Sequence, residues 1–254
     1  MKITILGSGS AYGSPTAGNY TTDNIDLSNY KNIRLRPSFY LEDSGDKLLV
    51  ECSPDFRQQI NTYNIKTIEN IFISHGHCDH IIGVWELTKL AKTIQKTINI
   101  YADNQTTEEI ENMFPFMFKT DFKEMGEGSV VLKPIKDNQT FTSFKLFPLK
   151  FLHKGKETTG FRYKDFCFIP DLEAICETSE EYLYDAKLWI LENNNLNDEK
   201  NGHNYLEQSL KWIEKFKPKQ VILNHLNTTI DYEKVSKMLP KGVELAWDGM
   251  IVEI

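Results

Sequence analysis

The sequence predicts an α/β fold in which two packed sheets are flanked by helices, and its 254 residues are read as one domain, 1–254. Three observations predict it. Apolar runs of strand length outnumber helical patterns and are interspersed with them along the whole chain. Apolar residues make up 40% of the sequence and aromatics 12%, enough for a sizeable core and too much for intrinsic disorder. Four apolar runs also end alike, on a histidine or an aspartate: Ile71–Ser74 before His75, Leu146–Leu152 before His153, Cys167–Pro170 before Asp171, and Val221–Asn224 before His225.

Lys2 to Leu6 reads as the first strand and runs into a glycine-rich loop over residues 7–15. The loop has the look of a phosphate cradle. Its G-x-G-x-x-G spacing is incomplete and no clear helix follows, so a plain glycine turn stands beside that reading. Residues 16–36 are polar and read as a long surface loop. Ser38–Leu41 and Lys47–Glu51 flank Asp43-Ser44-Gly45-Asp46, a hairpin signal. Residues 54–63 suit a short helix, with Pro54 near its start and Phe56 and Ile60 four apart.

Ile82, Trp85, Leu87, Leu90 and Ile94 recur at helical spacing. Gly83 among them would cost about 1 kcal/mol relative to alanine, which predicts a close packing contact near the His-rich stretch. Ile98–Tyr101 is a strand. Residues 104–128 mix acidic side chains with Met113, Phe114, Phe116, Met117 and Phe118. Such a cluster reads as core, with a lid or subunit contact as the alternative. Further strands are expected at 130–132, 144–151, 160–163, 166–169, 188–191 and 221–223. Helices are expected near 178–186, 204–216 and 231–238, with hairpins closing each end.

Charge narrows the function classes. A formal charge of −7 and a pI near 5.5 argue against a broad basic surface holding extended nucleic acid. A small anion drawn in by local metal charge remains compatible. The start, Met1–Gly7, is too short and too quickly broken by glycine to be read as a signal peptide, and no apolar stretch approaches the roughly 18–20 residues that span a bilayer. Cys52, Cys78, Cys167 and Cys176 form no C-x-x-C pair, as expected of thiols in a reducing cytosol. A cytoplasmic protein without membrane attachment is therefore expected.

The chemistry is carried by His75-Gly76-His77-Cys78-Asp79-His80. Three imidazoles and a carboxylate within six residues suit zinc, or manganese or iron where oxygen ligands contribute. Donors this dense exceed what one ion needs, which suggests two metals sharing a hydroxide. Alone, a histidine after a strand is usually a hydrogen-bonded residue and an aspartate after proline a turn or cap. Beside this cluster, His153, Asp171 and His225 become ligand candidates, because residues just beyond strand ends can converge at one edge of a sheet.

The His75–His80 stretch followed by Gly83 resembles the signature of the metallo-β-lactamase fold superfamily. It is most similar to the PhnP-type phosphodiesterases that open phosphoribosyl cyclic phosphate. Further matching segments are residues 6–10, 34–36, 53–59 and 221–225, and the tail 239–249. The resemblance implies a four-layer αββα sandwich. It also implies His75, His77 and His153 on one metal, Asp79, His80 and His225 on the other, and Asp171 bridging. His203 would be the non-ligand active-site histidine, with Asp79 and His203 the catalytic residues. One departure is plain: many members carry a cysteine cluster after the first glycine loop for a structural zinc, whereas residues 16–22 hold none. No third metal is expected.

The implied activity is a binuclear phosphodiesterase acting on a small or cyclic phosphodiester, with two divalent ions, zinc or manganese before iron. Two dications less two carboxylates and a hydroxide leave about one positive charge to meet a diester monoanion. The bridging hydroxide is expected to attack phosphorus in line, and His203 to protonate the leaving oxygen or to hydrogen-bond a phosphoryl oxygen. A capping histidine without catalytic duty is the plain alternative. Arg34, Arg36, Ser8 and Ser10 are weaker candidates for holding phosphate or sugar. Rival readings are an RNA 3′-processing nuclease, a thioester or lactam hydrolase, and a non-catalytic metal-binding or redox-sensing protein. A homodimer is left open.

Overall fold

A computed structural model of the chain describes residues 1–18, 25–118, 129–137 and 140–254. Two seven-stranded sheets form its centre. The first has the order β14 (Ile251–Glu253), β1 (Lys2–Gly7), β2 (Ser38–Asp43), β3 (Asp46–Val50), β4 (Asn70–Phe72), β5 (Ile98–Ala102), β6 (Val130–Pro134). The second runs β10 (Ala174–Ile175), β7 (Phe147–His153), β8 (Lys156–Tyr163), β9 (Phe166–Ile169), β11 (Leu188–Glu192), β12 (Gln220–Asn224), β13 (Val243–Leu245). Each sheet is antiparallel on one side, where β2–β3, β7–β8 and β8–β9 are hairpins, and parallel from β3 to β6 or from β9 to β13.

Period-two alternation sorts the side chains into layers. Leu188 and Ile190 of β11 face the other sheet, while Trp189 and Leu191 face the outer helices. Between the sheets, Phe72 meets Phe161 edge-on at 5.1 Å and Phe39 meets Phe168 at 5.1 Å. Outside the first sheet lie α1 (Phe56–Thr62), α2 (Cys78–Ile81), α3 (Leu87–Ile94), α4 (Asn104–Met113) and α5 (Pro115–Phe118). Outside the second lie α6 (Glu177–Glu180), α7 (Leu206–Phe216) and α8 (Tyr232–Ser236). The result is the four-layer αββα sandwich. Parallel neighbours need crossovers, so their carboxyl ends emerge along one edge, where loops can carry a site.

Several expectations shift. The strand expected from Phe144 starts at Phe147, because residues 142–145 turn back and bridge Phe141 to Leu146. The helix expected over 178–186 is only α6, followed by turns. The helical stripe after His80 is split, with a 3-10 segment over Ile82–Glu86 between α2 and α3. The close contact expected at Gly83 is present: a Cβ there would lie 2.3 Å from the Ser53 carbonyl oxygen. In the 104–128 cluster, Phe114 and Met117 are buried, whereas Met113 and Phe116 are exposed. Residues 119–128 of that cluster, and 19–24 of the polar loop, lie outside the described residues. Among the described residues, no helix is long and apolar enough to cross a membrane.

Candidate metal centre

The carboxyl edges of both sheets deliver the candidate ligands to one place. His75 follows β4, and Asp79 and His80 ride on α2 directly after it. His153 ends β7, Asp171 follows β9, and His225 follows β12 in a left-handed conformation with φ 60°. Such a φ is strained for a residue other than glycine and tends to be kept where function uses it. All are buried except His77, which is partly exposed.

Two donor groups result, each with its ligand atoms within 4.8 Å of one another: His75, His77, His153 and Asp171, and Asp79, His80, Asp171 and His225. Asp171 belongs to both. Its Oδ2 lies 4.0 Å from His75 Nε2, 4.0 Å from His153 Nε2 and 3.3 Å from His225 Nε2, and its Oδ1 lies 3.6 Å from His80 Nε2. Asp79 Oδ2 stands 3.2 Å from His80 Nε2 and 3.1 Å from His225 Nε2. Two ligands about 2.1 Å from one tetrahedral ion would lie about 3.4 Å apart, so this spacing accepts cations.

The imidazoles of His75, His153 and His225 turn Nε2 inward and are held from behind through Nδ1. Nδ1 of His75 meets Ser74 Oγ at 2.9 Å, that of His153 donates to the Gly202 carbonyl at 2.5 Å, and that of His225 meets the Asn194 amide at 3.1 Å. His80 Nδ1 faces Glu51 at 3.4 Å. The inward Nε2 atoms of His75, His80 and His153 are buried with no hydrogen-bond partner. Buried polar atoms are nearly always satisfied, and three orphans aimed at one point fit a metal centre.

Electrostatics agree. Burial pushes His75 well below the usual histidine range, His153 down to about 4, and His77 down as well. Burial also opposes charge on His80 and His225, yet the carboxylates of Asp79 and Asp171 raise both. In return, those imidazoles hold Asp79 and Asp171 below the ordinary carboxylate range despite desolvation. Carboxylates that draw protons onto two imidazoles would draw cations in their place.

His203 lies at the rim, its Nδ1 3.2 Å from Glu192 Oε1 and 3.6 Å from Asp171 Oδ2. It does not cap the following helix, whose N-cap position is Tyr205. Burial pushes its imidazolium down to about 4. Glu192 and Glu51 were missed as site residues. Each follows a run of apolar strand residues and is buried against a histidine, and that pattern was the available signal. Glu192 also accepts the backbone N–H groups of Asn194 and Asn204.

The weaker candidates are placed elsewhere. Arg34 is 2% exposed, and its guanidinium donates to the carbonyls of Lys31, Asn227 and Ile230 and to Asn32 Oδ1. Arg36 pairs with Asp55 at 2.7 Å. The glycine loop is a structural turn. Ser8 N–H and O–H both go to Asp248, Gly9 N–H to Leu35 and Ser10 N–H to Leu226. The three consecutive N–H groups of Ser8, Gly9 and Ser10 are thus taken and cannot cradle a phosphate.

Comparison with known proteins places these features. A sequence model described as the beta-lactamase superfamily domain matches residues 46–226. The crystal structure of a new diphosphatase from the PhnP family is similar over 100% of this chain and 97% of that one, with 27% identity and a TM-score of 0.87. An octanoyltransferase of Porphyromonas gingivalis is 23% identical over 98% of this chain and 51% of its own length. A ribonuclease Z of Methanococcus maripaludis is 33% identical over 44% of this chain and 32% of its own length. The chain thus spans about half of one of these curated relatives and about a third of the other.

Proposed function

This chain belongs to the beta-lactamase superfamily, in its metallo-β-lactamase fold, and we propose that it is a binuclear metal-dependent hydrolase of small phosphodiesters. The observation that carries the proposal is Asp171, one buried carboxylate shared by two groups of histidine and aspartate donors. His75, His77 and His153 would hold one divalent ion and Asp79, His80 and His225 the other. Nitrogen and carboxylate donors without sulfur suit zinc or manganese. When bound, the pair supplies Lewis acidity for a phosphoryl oxygen and activates water at neutral pH.

The remaining work falls to the chain. The buried ligands keep the donors in place without reorganisation, so their charge is already oriented when substrate arrives. Glu192 turns the His203 ring so that Nδ1 carries hydrogen and Nε2 faces the rim. His203 is neutral at pH 7, and it becomes a proton donor to the leaving oxygen only when a bound phosphate adds negative charge nearby. Similarity to a PhnP-family diphosphatase over the whole chain supports phosphorus over carbonyl carbon as the reacting centre. Partial similarity to ribonuclease Z favours RNA 3′-processing as the second reading.

The test is turnover after zinc or manganese reconstitution, on bis(4-nitrophenyl) phosphate, cyclic phosphodiesters, precursor RNA and a thioester. Small diesters are expected to react fastest. Preferred cleavage of RNA or thioester would overturn the substrate class, and no turnover of any would favour a binding or sensing role. His203→Ala is expected to retain its metals and to lose far more rate on alkyl leaving groups than on nitrophenolate. Equal losses would reduce His203 to a positioning role.

A further inference from the structure

A cleft of about 210 Å³ opens beside the metal centre, lined by His75, His77 and His153 and by the charged side chains of Glu109, Lys154, Lys156 and Glu157. Its charges are matched except at one point. Lys156 Nζ lies 3.0 Å from Glu109, and Glu157 lies 3.7 Å from Lys150. Among the described residues, no carboxylate comes within 4 Å of Lys154 Nζ. That ammonium instead stands 3.3 Å from His203 Nε2.

Backbone geometry puts it there. Lys154 and Gly155 form the two-residue turn between β7 and β8, with φ 49° and 73°, and His153 pairs with Lys156 across it. Positive φ at both positions is what a tight hairpin turn of matching twist requires. The turn makes Lys154 the residue directly after a candidate ligand. Opposite it, Gly202 has φ 79°, and a Cβ there would fall 2.5 Å from Lys154 Cγ. The Gly202 carbonyl meanwhile accepts the His153 Nδ1 proton. The two turns interlock, and the lysine stem lies across bare glycine backbone with its charge held at the rim.

That placement is electrostatically incomplete. The neutral imidazole lone pair is a modest partner for an ammonium, and an oxyanion is a stronger one. Two dications beside it would outweigh Asp79 and Asp171 and leave net positive charge, to which Lys154 adds. We propose that Lys154 is a specificity-determining residue that turns from the His203 lone pair to receive a second oxyanion of the substrate, a carboxylate or further phosphate borne next to the reacting phosphorus. The proposal rests on the phosphodiesterase reading above and narrows its substrate class.

Calorimetry on zinc-loaded protein tests it with three probes: ethylphosphonate, phosphonoacetate, which adds a carboxylate, and methylenediphosphonate, which adds a phosphonate. Wild type is expected to bind at least one doubly anionic probe about tenfold tighter than ethylphosphonate. Lys154→Met should lose that preference and Lys154→Arg should keep it, with metal content and melting temperature read alongside. The better of the two probes tells carboxylate from phosphate. Absence of any preference in wild type, or its survival in Lys154→Met, overturns the proposal. A lysine-dependent preference in a protein that hydrolyses no phosphodiester would sink the hydrolase reading and leave this subsite standing. An unchanged preference in an active enzyme would do the reverse.

Discussion

Gly83→Ala tests how packing positions the centre. Gly83 sits on the 3-10 segment that follows His80, pressed against the loop before α1. A methyl there would lie 2.3 Å from Ser53 O, 2.7 Å from Phe56 Cβ and 2.9 Å from Cys52 O. Ordinary contact needs roughly an ångström more, and two of these neighbours are backbone atoms that cannot swing away. The segment must move off the loop, which strains two bonds tying it down, Cys52 N–H to the His80 carbonyl at 2.8 Å and Gly83 N–H to the Cys52 carbonyl at 2.9 Å. Overpacking costs about 1–3 kcal/mol and each weakened bond about 1 kcal/mol. Alanine returns up to about 1 kcal/mol through helical preference. The expected loss is therefore about 2–4 kcal/mol by urea denaturation. Asp79 and His80 move with the segment, so zinc affinity should fall too. A variant within about 0.5 kcal/mol of wild type, with unchanged zinc affinity, would refute the packing argument.

Other perturbations separate structural from chemical roles. Arg34→Met should destabilise by about 2–4 kcal/mol, since it strands buried carbonyls of the 26–35 and 226–231 loops, while zinc stoichiometry holds; loss of metal or substrate binding at unchanged stability would restore a phosphate role for Arg34. Phe72→Ala removes a ring that contacts Phe141, Phe161 and Phe168, and should cost about 3–5 kcal/mol in chemical denaturation, with a loss below about 1 kcal/mol arguing against a packed inter-sheet core. Asp103→Ala removes both the N-cap of α4, where Oδ1 accepts from Thr106 N–H at 2.8 Å, and the Oδ2 contacts to Thr159 and Lys150 in the second sheet; about 2 kcal/mol is expected, and a neutral result would mean those bonds exchange freely with water. His225→Ala should lower bound zinc, and unchanged stoichiometry would remove it from the ligand set.

Much of the architecture was legible because its signals are local. Period-two strands such as β11 alternate between two apolar environments, and Gly83 announced a close approach that the contacts bear out. The convergence of His75, His153, Asp171 and His225 could be read from what ends their strands, since rigid sheets gather such positions at one edge. Three kinds of feature were hidden. Strands of two or three residues, such as β10, β13 and β14, carry too few positions to show a period and exist through their partners. The start of β7 was misplaced because Thr142 and Lys145 turn with φ 63° and 57° where no glycine marks it. Finally, Glu51, Glu192 and Arg34 are charged residues whose burial follows from distant partners: His80, His203 and the 227–230 carbonyls. The apolar runs before Glu51 and Glu192 hint at burial, but nothing beside Arg34 does, and in no case do the sequence neighbours name the partner.

The most direct measurement is anomalous diffraction at the zinc edge from crystals grown with excess zinc. Two peaks per chain are expected to flank Asp171, one among His75, His77 and His153 and the other among Asp79, His80 and His225. A single peak, none, or ions bound only away from Asp171 would contradict that expectation.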